Sequence, residues 1–394
     1  MDKLKVIAAM SGGVDSSVAA YLLKKQGYEV IGMTMNLCKN CDNDSHSSPE
    51  IEKARSVCEL LGISFASVDF RDKFSHLIME DFIRQYERGN TPNPCIRCNR
   101  LVKFGLLPEA GKDLINKIAE NTKGENGKYS EEEERSPFIA TGHYAVVEKL
   151  QNGRYAIKKA TDSNKDQSYF LYTLGQDILS KTLMPLGNLT KPEVRKIAEE
   201  QGFINAKTKD SQDVCFIPDG DYSNFIKSYT KKNYESGNFV DTEGNILGKH
   251  KGIINYTIGQ RKGLGLALKK PMYVYKIDSE KNEVVLSDNS SLFTTELIAT
   301  DFNWVAISEE EAIKRSEEKH AGEGGNTAGW RALGRIRYRH TEAPCSVKVI
   351  ESCGSGCKVR VVFDEPQRAI TPGQSVVLYD IETDTTVLGG GIIL

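Results

Sequence analysis

The stretch Ser11-Gly12-Gly13-Val14-Asp15-Ser16-Ser17 decides the fold of this chain of 394 residues. It lies between an apolar run, Val6 to Met10, and an amphipathic one, Val18 to Leu23. We therefore predict a strand, a tight glycine turn and a helix, in that order. Such a turn directs several backbone N–H groups and the positive end of a helix dipole toward one point, which makes a binding site for a phosphate or pyrophosphate group.

The residue types in this loop limit the reactions in which it can take part. Two adjacent glycines let the backbone approach an anion closely, and the serine hydroxyls add further donors. No lysine follows the second glycine, so the loop differs from the Walker loop that grips terminal phosphates. A loop with Asp15 and without that lysine fits an enzyme that splits ATP between the α and β phosphates. The alternative is a helix N-terminus that is merely rich in Gly and Ser.

The net charge, the N-terminal residues and the cysteines indicate how the chain could contact RNA and in which compartment it acts. The formal net charge is -2, so any RNA contact must come from local basic patches. Residues 1–5 lack an apolar signal core, and no apolar run approaches the length needed to span a membrane. We therefore expect a cytoplasmic protein, in which spaced pairs among the nine cysteines indicate catalysis or metal binding more than structural disulfides.

The chain divides by its pattern of elements. Strands and helices alternate in the first half, which predicts an α/β fold with a doubly wound, mostly parallel sheet and the glycine loop at the carboxyl ends of its strands. After about Asp219, short β-rich segments alternate with turns, as in a small β domain followed by a β-barrel. We predict a catalytic domain at 1–218, a small β-rich central domain at 219–281 and a C-terminal β-barrel at 282–394. The charged stretches Asn121 to Pro137 and Ser308 to Thr327 are interpreted as loop insertions.

Two cysteines lie in the second informative motif, Asn93-Pro94-Cys95-Ile96-Arg97-Cys98-Asn99. They are three residues apart at the entrance to a helix predicted from Leu101 onwards, and a helix N-terminus stabilises a thiolate. At least one of the two sulfurs is therefore expected to be nucleophilic or ready to bind a metal. The alternative is a pair of buried structural thiols.

Other cysteines leave more than one interpretation open. Cys215, in SQDVCFI, is either a buried core thiol or a partner that the fold brings to Cys98. Cys38 and Cys41, with His46 nearby, would make half of a zinc site, although structural zinc needs four ligands.

Three polar stretches suit contacts with RNA. Lys165-Asp166-Gln167-Ser168-Tyr169-Phe170 offers a cation, an anion and an amide, although it also fits a capped helix start with surface charges. Gly259 to Leu264 (GQRKGL) and Arg335 to His340 (RIRYRH) are basic. Arginine alternating with an aromatic residue is typical of phosphate and stacking contacts, and equally of a half-exposed strand.

Together these residues resemble the bacterial tRNA-specific 2-thiouridylases, which belong to the ATP-pyrophosphatase (PP-loop) group. The shared markers are, in chain order, SGGVDSS at 11–17, the NPxxxCN frame at 93–99, ATGHY at 140–144, KDQSYFL at 165–171, SQDVCFI at 211–217, GQRKGL at 259–264, RYRH at 337–340 and TPGQSVV at 371–377. The first marker is shared with several synthetases, whereas the later ones in this order are specific. The resemblance covers essentially the whole chain.

This resemblance implies ATP-dependent transfer of sulfur to C2 of the wobble uridine in tRNAs for Lys, Glu and Gln. The uridine would be flipped out of the anticodon, and its O2 would attack the α phosphate of ATP, with Mg²⁺, to give an adenylated base and pyrophosphate. The residues implied in ATP binding are Ala9, Met10, Ser11, Gly12, Gly13, Val14, Asp15, Ser16, Met35 and Gly142.

The same resemblance implies two catalytic cysteines. Cys215 would carry a persulfide, delivered by a sulfur-relay or cysteine desulfurase protein, and would bring its sulfur to C2. Cys98 would then resolve the Cys215 sulfur as a disulfide, and AMP would leave. Residues implied to face the target base are Asn93, Pro94 and Cys95. Residues implied to contact tRNA are His143, Lys165, Asp166, Gln167, Arg337, Tyr338 and Gln374.

One position departs from the family, which commonly places Asp where this chain has Cys95. Cys95, Cys98 and Cys215 would surround one site with three thiolates, which resembles the three-cysteine [4Fe-4S] sites of other tRNA thiolases. An iron-sulfur cluster is therefore a second hypothesis beside the thiol relay.

Two other functions remain as alternatives. Another adenylating PP-loop synthetase or amidotransferase, acting on a small molecule, would need no tRNA and would keep its activity in Cys98→Ser. A non-catalytic RNA-binding protein that keeps the loop as a relic would bind tRNA without producing AMP. Nothing in the sequence demands more than a monomer.

Overall fold

The structure, a computed structural model, describes residues 4–38, 48–122, 137–208, 213–318, 329–353 and 356–394. The chain forms two compact units. The first unit comprises Met1–Leu77 and Cys95–Ser211, and the second comprises Ile78–Pro94 and Gln212–Leu394. In the described ranges, no helix is both long enough and apolar enough to cross a membrane.

The helices and strands follow one another along the chain in two series. The first series is β1 (Lys5–Ala9), α1 (Val14–Lys25), β2 (Glu29–Asn36), α2 (Pro49–Leu61), β3 (Ser64–Asp69), α3 (Arg71–Phe74), α4 (Glu80–Glu87), α5 (Pro94–Cys98), α6 (Leu107–Thr122), β4 (Phe138–Ala140), β5 (Val146–Lys149), β6 (Tyr155–Lys158), α7 (Gln176–Leu179), β7 (Thr182–Leu183) and α8 (Lys191–Glu200). The second series is α9 (Tyr222–Thr230), β8 (Gly237–Val240), β9 (Ile246–His250), β10 (Tyr273–Asp278), β11 (Glu283–Ser287), β12 (Phe293–Trp304), α10 (Glu309–Glu317), β13 (Trp330–Arg335), β14 (Ala343–Cys353), β15 (Gly356–Arg368), β16 (Ser375–Tyr379) and β17 (Val387–Ile393).

The first unit contains a five-stranded sheet in the order β3-β2-β1-β4-β7. Every pairing in it is parallel, and Ile7 of β1 lies opposite Ile31 on one side and Ile139 on the other. The chain builds the sheet outward from β1 first to one side and then to the other, so the point where the strand order reverses lies between β1 and β4. Doubly wound sheets bind their ligands at this point, and the predicted fold class is confirmed.

The sequence of β1 explains its central place. Val6, Ile7 and Ala8 are at most 2% exposed, as expected for a parallel strand covered on both faces. Val18 and Leu23 of α1 belong to the same hydrophobic cluster as Val6 and Ala8. Burying one such aliphatic side chain contributes roughly 1.5–3 kcal/mol, which fixes α1, and with it the glycine loop, against the sheet.

The helix that follows the two cysteines of NPCIRCN begins earlier than predicted. It starts at Pro94, because proline suits the first helical position, where its missing N–H is not needed. Cys95 and Cys98 therefore lie within α5 rather than before a helix. A π-helical segment, Asn99–Leu106, connects α5 to α6, and such segments are frequent at functional sites.

The second unit contains a four-stranded sheet and a closed barrel. The sheet has the order β10-β11-β8-β9, and the barrel has the order β12-β15-β14-β13-β16-β17. Barrel residues such as Ala299, Val347 and Val361 are fully buried. The β11 strand pairs with β8 and β10, although the predicted boundary before residue 282 assigns it to the barrel. The predicted division into three domains itself stays a prediction.

One predicted loop insertion is partly wrong. The stretch from Ser308 begins as helix α10, whose cap is the Ser308 hydroxyl accepting a bond from the N–H of Glu311 at 3.2 Å. Glutamates at its start and Lys314 and Arg315 at its end also suit the helix dipole. The rest of that insertion (319–328) and most of the other one (123–136) lie outside the described residues.

Candidate functional site

The two loop glycines have different conformations and surroundings in the turn. Gly12 has a φ of +74°, and a Cβ there would come within 2.5 Å of the backbone oxygen of Glu50 on α2. Gly13 is the N-cap residue of α1 and has an extended conformation with no capping side chain of its own. The turn before α1 therefore requires glycine at position 12, whereas the extended backbone of Gly13 is one that other residues also adopt.

The serine hydroxyls mainly hold the shape of the loop. Ser16 Oγ and Ser17 Oγ each donate to the carbonyl oxygen of Gly13 at 3.0 Å. The N–H of Ser11 donates to Ser16 Oγ at 3.2 Å. Ser16 and Ser17 are buried, whereas Ser11 is exposed. The Ser11 hydroxyl is therefore the one best placed to reach a ligand.

Asn205, which lies near the C-terminal end of the first unit in the sequence, is hydrogen-bonded to the loop. Its Nδ2 donates to the Gly12 carbonyl oxygen at 2.8 Å and to Ser17 Oγ at 2.9 Å. The residue is only 1% exposed. Sequence reasoning missed it, because nothing near Asn205 in the chain indicates a partner almost two hundred residues away.

Asp15 is held by two side chains that the sequence also failed to connect with the loop. Tyr144 Oη donates to Asp15 Oδ1 at 2.8 Å, and Lys191 Nζ donates to Oδ1 at 2.7 Å and to Oδ2 at 2.8 Å. The Lys191 side chain is 9% exposed and that of Asp15 is 32% exposed. The carboxylate therefore has an orientation fixed by three hydrogen bonds and still reaches solvent.

Gly142 lies directly against the glycine loop. A Cβ at this position would come within 2.8 Å of the Asp15 carbonyl carbon and the Ser16 nitrogen, so only glycine permits this approach. Met35 lies at the carboxyl end of β2, the strand next to β1. The structure thus places the predicted ATP-binding residues, Ala9 to Ser16, Met35 and Gly142, at one edge of the sheet. Their contact with ATP stays a prediction.

His143 is buried and uncharged at neutral pH. Its Nδ1 lies 2.8 Å from Thr141 Oγ1, and its ring stacks on Phe104 at 6.0 Å between centroids. Burial, with a smaller effect of Lys103, holds the pKa of His143 well below its usual 6.5. The predicted contact of His143 with tRNA would therefore have to use a neutral imidazole rather than a cation.

The polar stretch from Lys165 is fastened to the residues that follow β4. Gln167 exchanges two bonds with Tyr144: its Oε1 accepts the Tyr144 N–H at 2.9 Å, and its N–H donates to the Tyr144 oxygen at 2.8 Å. Asp166 is 3% exposed and accepts bonds from Ala160 N, Ser168 N and Ser168 Oγ. Lys165 is half-buried. The predicted tRNA contacts of the three residues remain untested.

The two cysteines of α5 have different environments. Cys95 is exposed, whereas Cys98, one turn later, is 7% exposed. Arg97, between them, donates from Nε to the backbone oxygen of Leu77 at 2.8 Å, which anchors the turn. The interpretation of both as buried structural thiols is therefore wrong for Cys95.

Cys215 lies on an anchored turn of the second unit. The N–H of Ile217 donates to the Val214 oxygen at 2.8 Å, and the neighbouring side chains of Phe216 and Ile217 are 3% and 1% exposed. Cys215 itself is exposed, so its interpretation as a core thiol is wrong. Cys98 belongs to the first unit and Cys215 to the second. Their catalytic pairing stays a prediction.

Gln374 fastens the backbone that precedes the predicted base-binding residues. Its Nε2 donates to the Thr91 oxygen at 2.7 Å, and the Thr91 N–H donates to the Pro372 oxygen at 3.0 Å. Both bonds lie within the second unit. Thr91 precedes Asn93 by two residues and Pro94 by three. The predicted contact of Gln374 with tRNA is not tested by this geometry.

The basic stretch after β13 is a turn and not a half-exposed strand, because β13 ends at Arg335. Arg337 Nη1 donates to the Arg368 oxygen at 3.0 Å, and both Arg337 and Tyr338 are half-buried. Arg339 is exposed. A turn with an exposed arginine is compatible with the predicted RNA contact, which itself stays a prediction.

Family models match three consecutive parts of the chain. They are described as tRNA methyl transferase HUP domain (residues 4–219), tRNA methyl transferase PRC-barrel domain (223–288) and Aminomethyltransferase beta-barrel domain (294–393). A tRNA-specific 2-thiouridylase MnmA from Lachnoclostridium phytofermentans is 43% identical over 99% of both chains. Proteins of the same name from Acetivibrio thermocellus (45%, all of both chains) and Clostridioides difficile (44%, 99% of this chain and 98% of the relative) match equally well.

The chain belongs to the tRNA-specific 2-thiouridylase family. The resemblance found from the sequence motifs is therefore confirmed, together with the enzyme class that it implies, a tRNA sulfurtransferase. Among solved structures, a U34-tRNA thiolase from Methanococcus maripaludis is 19% identical over 58% of this chain and 66% of that chain. Its TM-score of 0.29 is too low to support an inference about this member of the family.

The described residues of this family member offer no ready metal centre. No group of three or more His, Cys, Asp or Glu side chains among them is arranged to hold a metal ion. Cys95 and Cys98 belong to the first unit and Cys215 to the second, and the iron-sulfur hypothesis stays a prediction beside the thiol relay. Cys38 is half-buried, and Cys41 and His46 of the suggested zinc half-site lie outside the described residues.

Proposed function

We propose that this protein catalyses ATP-dependent 2-thiolation of the wobble uridine of tRNA for Lys, Glu and Gln, releasing AMP and pyrophosphate. The observation that carries the proposal is the glycine loop, with Asp15 held beside it and Gly142 packed on it, in a chain of the tRNA-specific 2-thiouridylase family. A loop of this kind binds phosphates, and membership of the family indicates the acceptor, which is a uridine of tRNA.

The first step is adenylation of the base. Backbone N–H groups at the start of α1 bind the phosphates, and the ring of adenine lies near Met35. The Asp15 carboxylate suits Mg²⁺, which prefers oxygen ligands and would neutralise charge on the phosphates. Uridine O2 forms a bond to the α phosphorus, the bond from that phosphorus to the bridging oxygen breaks, and pyrophosphate leaves. The base gives up its N3 proton in this step.

The second step moves sulfur through two cysteines. An exposed Cys215 can accept a persulfide sulfur from a separate sulfur-relay or desulfurase protein. The terminal sulfur bonds to C2, the C2–O bond breaks, and AMP leaves. The Cys98 thiolate then attacks Cys215 Sγ, which forms a disulfide and leaves the sulfur on C2. An external reductant restores both thiols.

The base is selected before these steps by the segment around α5. Asn93, Pro94 and Cys95 would face the flipped uridine, beside the buried thiol of Cys98. The residues that would contact the rest of the tRNA are His143, Lys165, Asp166, Gln167, Arg337, Tyr338 and Gln374. A monomer acting in the cytoplasm is the simplest form of this proposal.

One assay separates the proposal from its two rivals. The protein is incubated with unmodified tRNA, ATP, Mg²⁺ and a sulfur donor, and 2-thiouridine and AMP are quantified after digestion. We expect both products, and both should depend on tRNA. AMP formation without tRNA would favour a small-molecule synthetase, and tRNA binding without AMP would favour a non-catalytic RNA-binding protein.

A separate measurement addresses the iron-sulfur hypothesis. The protein is purified without oxygen, and iron and labile sulfide are measured in wild type and Cys95→Ala. The thiol relay predicts that both proteins are free of iron. Stoichiometric iron and sulfide in wild type, lost in Cys95→Ala, would contradict the thiol relay.

A further inference from the structure

Lys191 brings a cation to a phosphate-binding loop that has none in its own sequence. The loop lacks the lysine of a Walker motif, yet Lys191 Nζ lies 2.7 and 2.8 Å from the two carboxylate oxygens of Asp15. Asp15 is in the first turn of α1, directly after the two loop glycines. The cation is therefore one side chain away from the backbone that would bind the phosphates.

The backbone around Lys191 is fixed on both sides. Lys191 is the first residue of α8, where Thr190 and Glu193 form a capping box. Its own N–H donates to Asp162 Oδ2 at 2.9 Å. The side chain reaches the loop with Nζ 5.8 Å from the centre of the Tyr144 ring, in cation–π contact. The long, flexible stem can move its ammonium group by several ångströms while the backbone stays in place.

Burial explains why Lys191 pairs with Asp15. A lysine that is 7% exposed needs an anionic partner, because an unpaired buried charge is costly. The Asp15 carboxylate provides that partner. When a triphosphate binds beside the same carboxylate, the two anions repel each other unless cations lie between them.

We propose that Lys191 is a phosphate-binding residue that takes the role of the absent Walker lysine. Asp15 holds the ammonium group next to the loop. On binding of ATP, the ammonium group donates to a phosphate oxygen, and the Asp15 carboxylate becomes available to Mg²⁺. The inference rests on the proposed function in one respect, namely that the nucleotide bound here is ATP.

The alternative role of Lys191 is structural, as a bridge between α8 and α1. The two roles predict different effects of replacing Lys191 with an uncharged residue. A structural bridge predicts a loss of stability with an unchanged affinity of the folded protein for ATP. A phosphate-binding role predicts a loss of ATP affinity in a protein that is still folded.

The test is equilibrium binding of ATP without tRNA, with and without Mg²⁺, accompanied by thermal unfolding of each variant. Lys191→Met and Lys191→Gln should both bind ATP about 10- to 100-fold more weakly, the range for loss of a hydrogen bond to a charged group. Lys191→Arg keeps the charge and should recover most of the affinity. Lys191→Gln keeps a donor toward Asp15, so it tests the charge even if Lys191→Met fails to fold.

Lys196→Met is the matched control. Lys196 lies on the same helix with 76% of its side chain exposed, so its removal should leave ATP binding unchanged. If folded Lys191→Gln binds ATP with wild-type affinity, the inference about Lys191 is overturned and the proposed function is not affected. A wild-type protein that binds no ATP would overturn the proposed function together with it.

Discussion

At the scale of single residues, long-range hydrogen bonds decide whether the glycine loop keeps its shape. Asn205 and Lys191 both reach the loop from positions far along the chain. Neither is recognisable in the sequence, because a side chain gives no sign of a partner in a distant element. Thr190 and Glu193, by contrast, form a local capping box at the start of α8, which is a pattern that neighbouring residues alone determine. The contact between Lys191 of α8 and the loop could be recognised only from the fold.

Replacing Asn205 tests the fastening of the loop. Asn205→Ala leaves the Gly12 oxygen and Ser17 Oγ without this donor in a buried place, which costs about 1–3 kcal/mol in the free energy of unfolding. Chemical denaturation measures this effect. Ile204→Ala, at a neighbouring residue that is 75% exposed, serves as control and should change stability by less than about 0.5 kcal/mol.

Buried histidines predict how stability depends on pH. The pKa of His143 is lowered by burial, and the pKa values of His250 and His340 are lowered for the same first reason. A histidine whose pKa is lower in the folded state binds its proton preferentially when unfolded, so folding is weakened as the pH falls below the unfolded pKa of about 6.5.

Stability should therefore decline between about pH 6.5 and pH 5, with each such histidine contributing a slope of up to about 1.4 kcal/mol per pH unit. Denaturant titrations at several pH values measure it. His143→Gln should be less sensitive to pH over this range than wild type. An identical pH slope in His143→Gln would contradict the assignment of a neutral, buried imidazole.

At the scale of elements, the site depends on how closely β4 and its following loop approach α1. The parallel order β3-β2-β1-β4-β7 brings Gly142 against the first turn of α1. The alternation of strands and helices was enough to predict this kind of sheet, because such alternation is typical of a parallel sheet covered by helices. The start of this helix was predicted too late, at Leu101, although a proline such as Pro94 suits the first position of a helix.

Gly142→Ala tests this approach. The added Cβ would meet backbone atoms of Asp15 and Ser16 at 2.8 Å, and backbone in a packed helix turn cannot move aside cheaply. We expect a loss of ATP affinity of about tenfold or more, equivalent to about 1.4 kcal/mol. Gly175→Ala is the control, because its Cβ would meet only the movable side-chain oxygen of Asp177. Equal ATP binding by both variants would show that Gly142 does not shape the site.

At the scale of the whole molecule, the proposed reaction uses residues from both units. ATP would bind in the first unit, which also holds Cys98, while Cys215 belongs to the second. Motif order along the chain predicted the family, because the later motifs are far more specific than the glycine loop. The iron-sulfur hypothesis also came from the sequence, on the strength of Cys95, and it stays a prediction.

The sulfur step is the central claim, and a single-turnover reaction tests it most directly. Protein carrying a labelled persulfide on Cys215 is mixed with unmodified tRNA and Mg·ATP without reductant, and both 2-thiouridine and the Cys98–Cys215 disulfide are measured by mass spectrometry. We expect one disulfide for each labelled 2-thiouridine formed, no product in Cys98→Ser, and a wild-type yield in the control Cys38→Ser. Labelled 2-thiouridine made by Cys98→Ser at the wild-type rate, or made without the disulfide, would contradict the thiol relay.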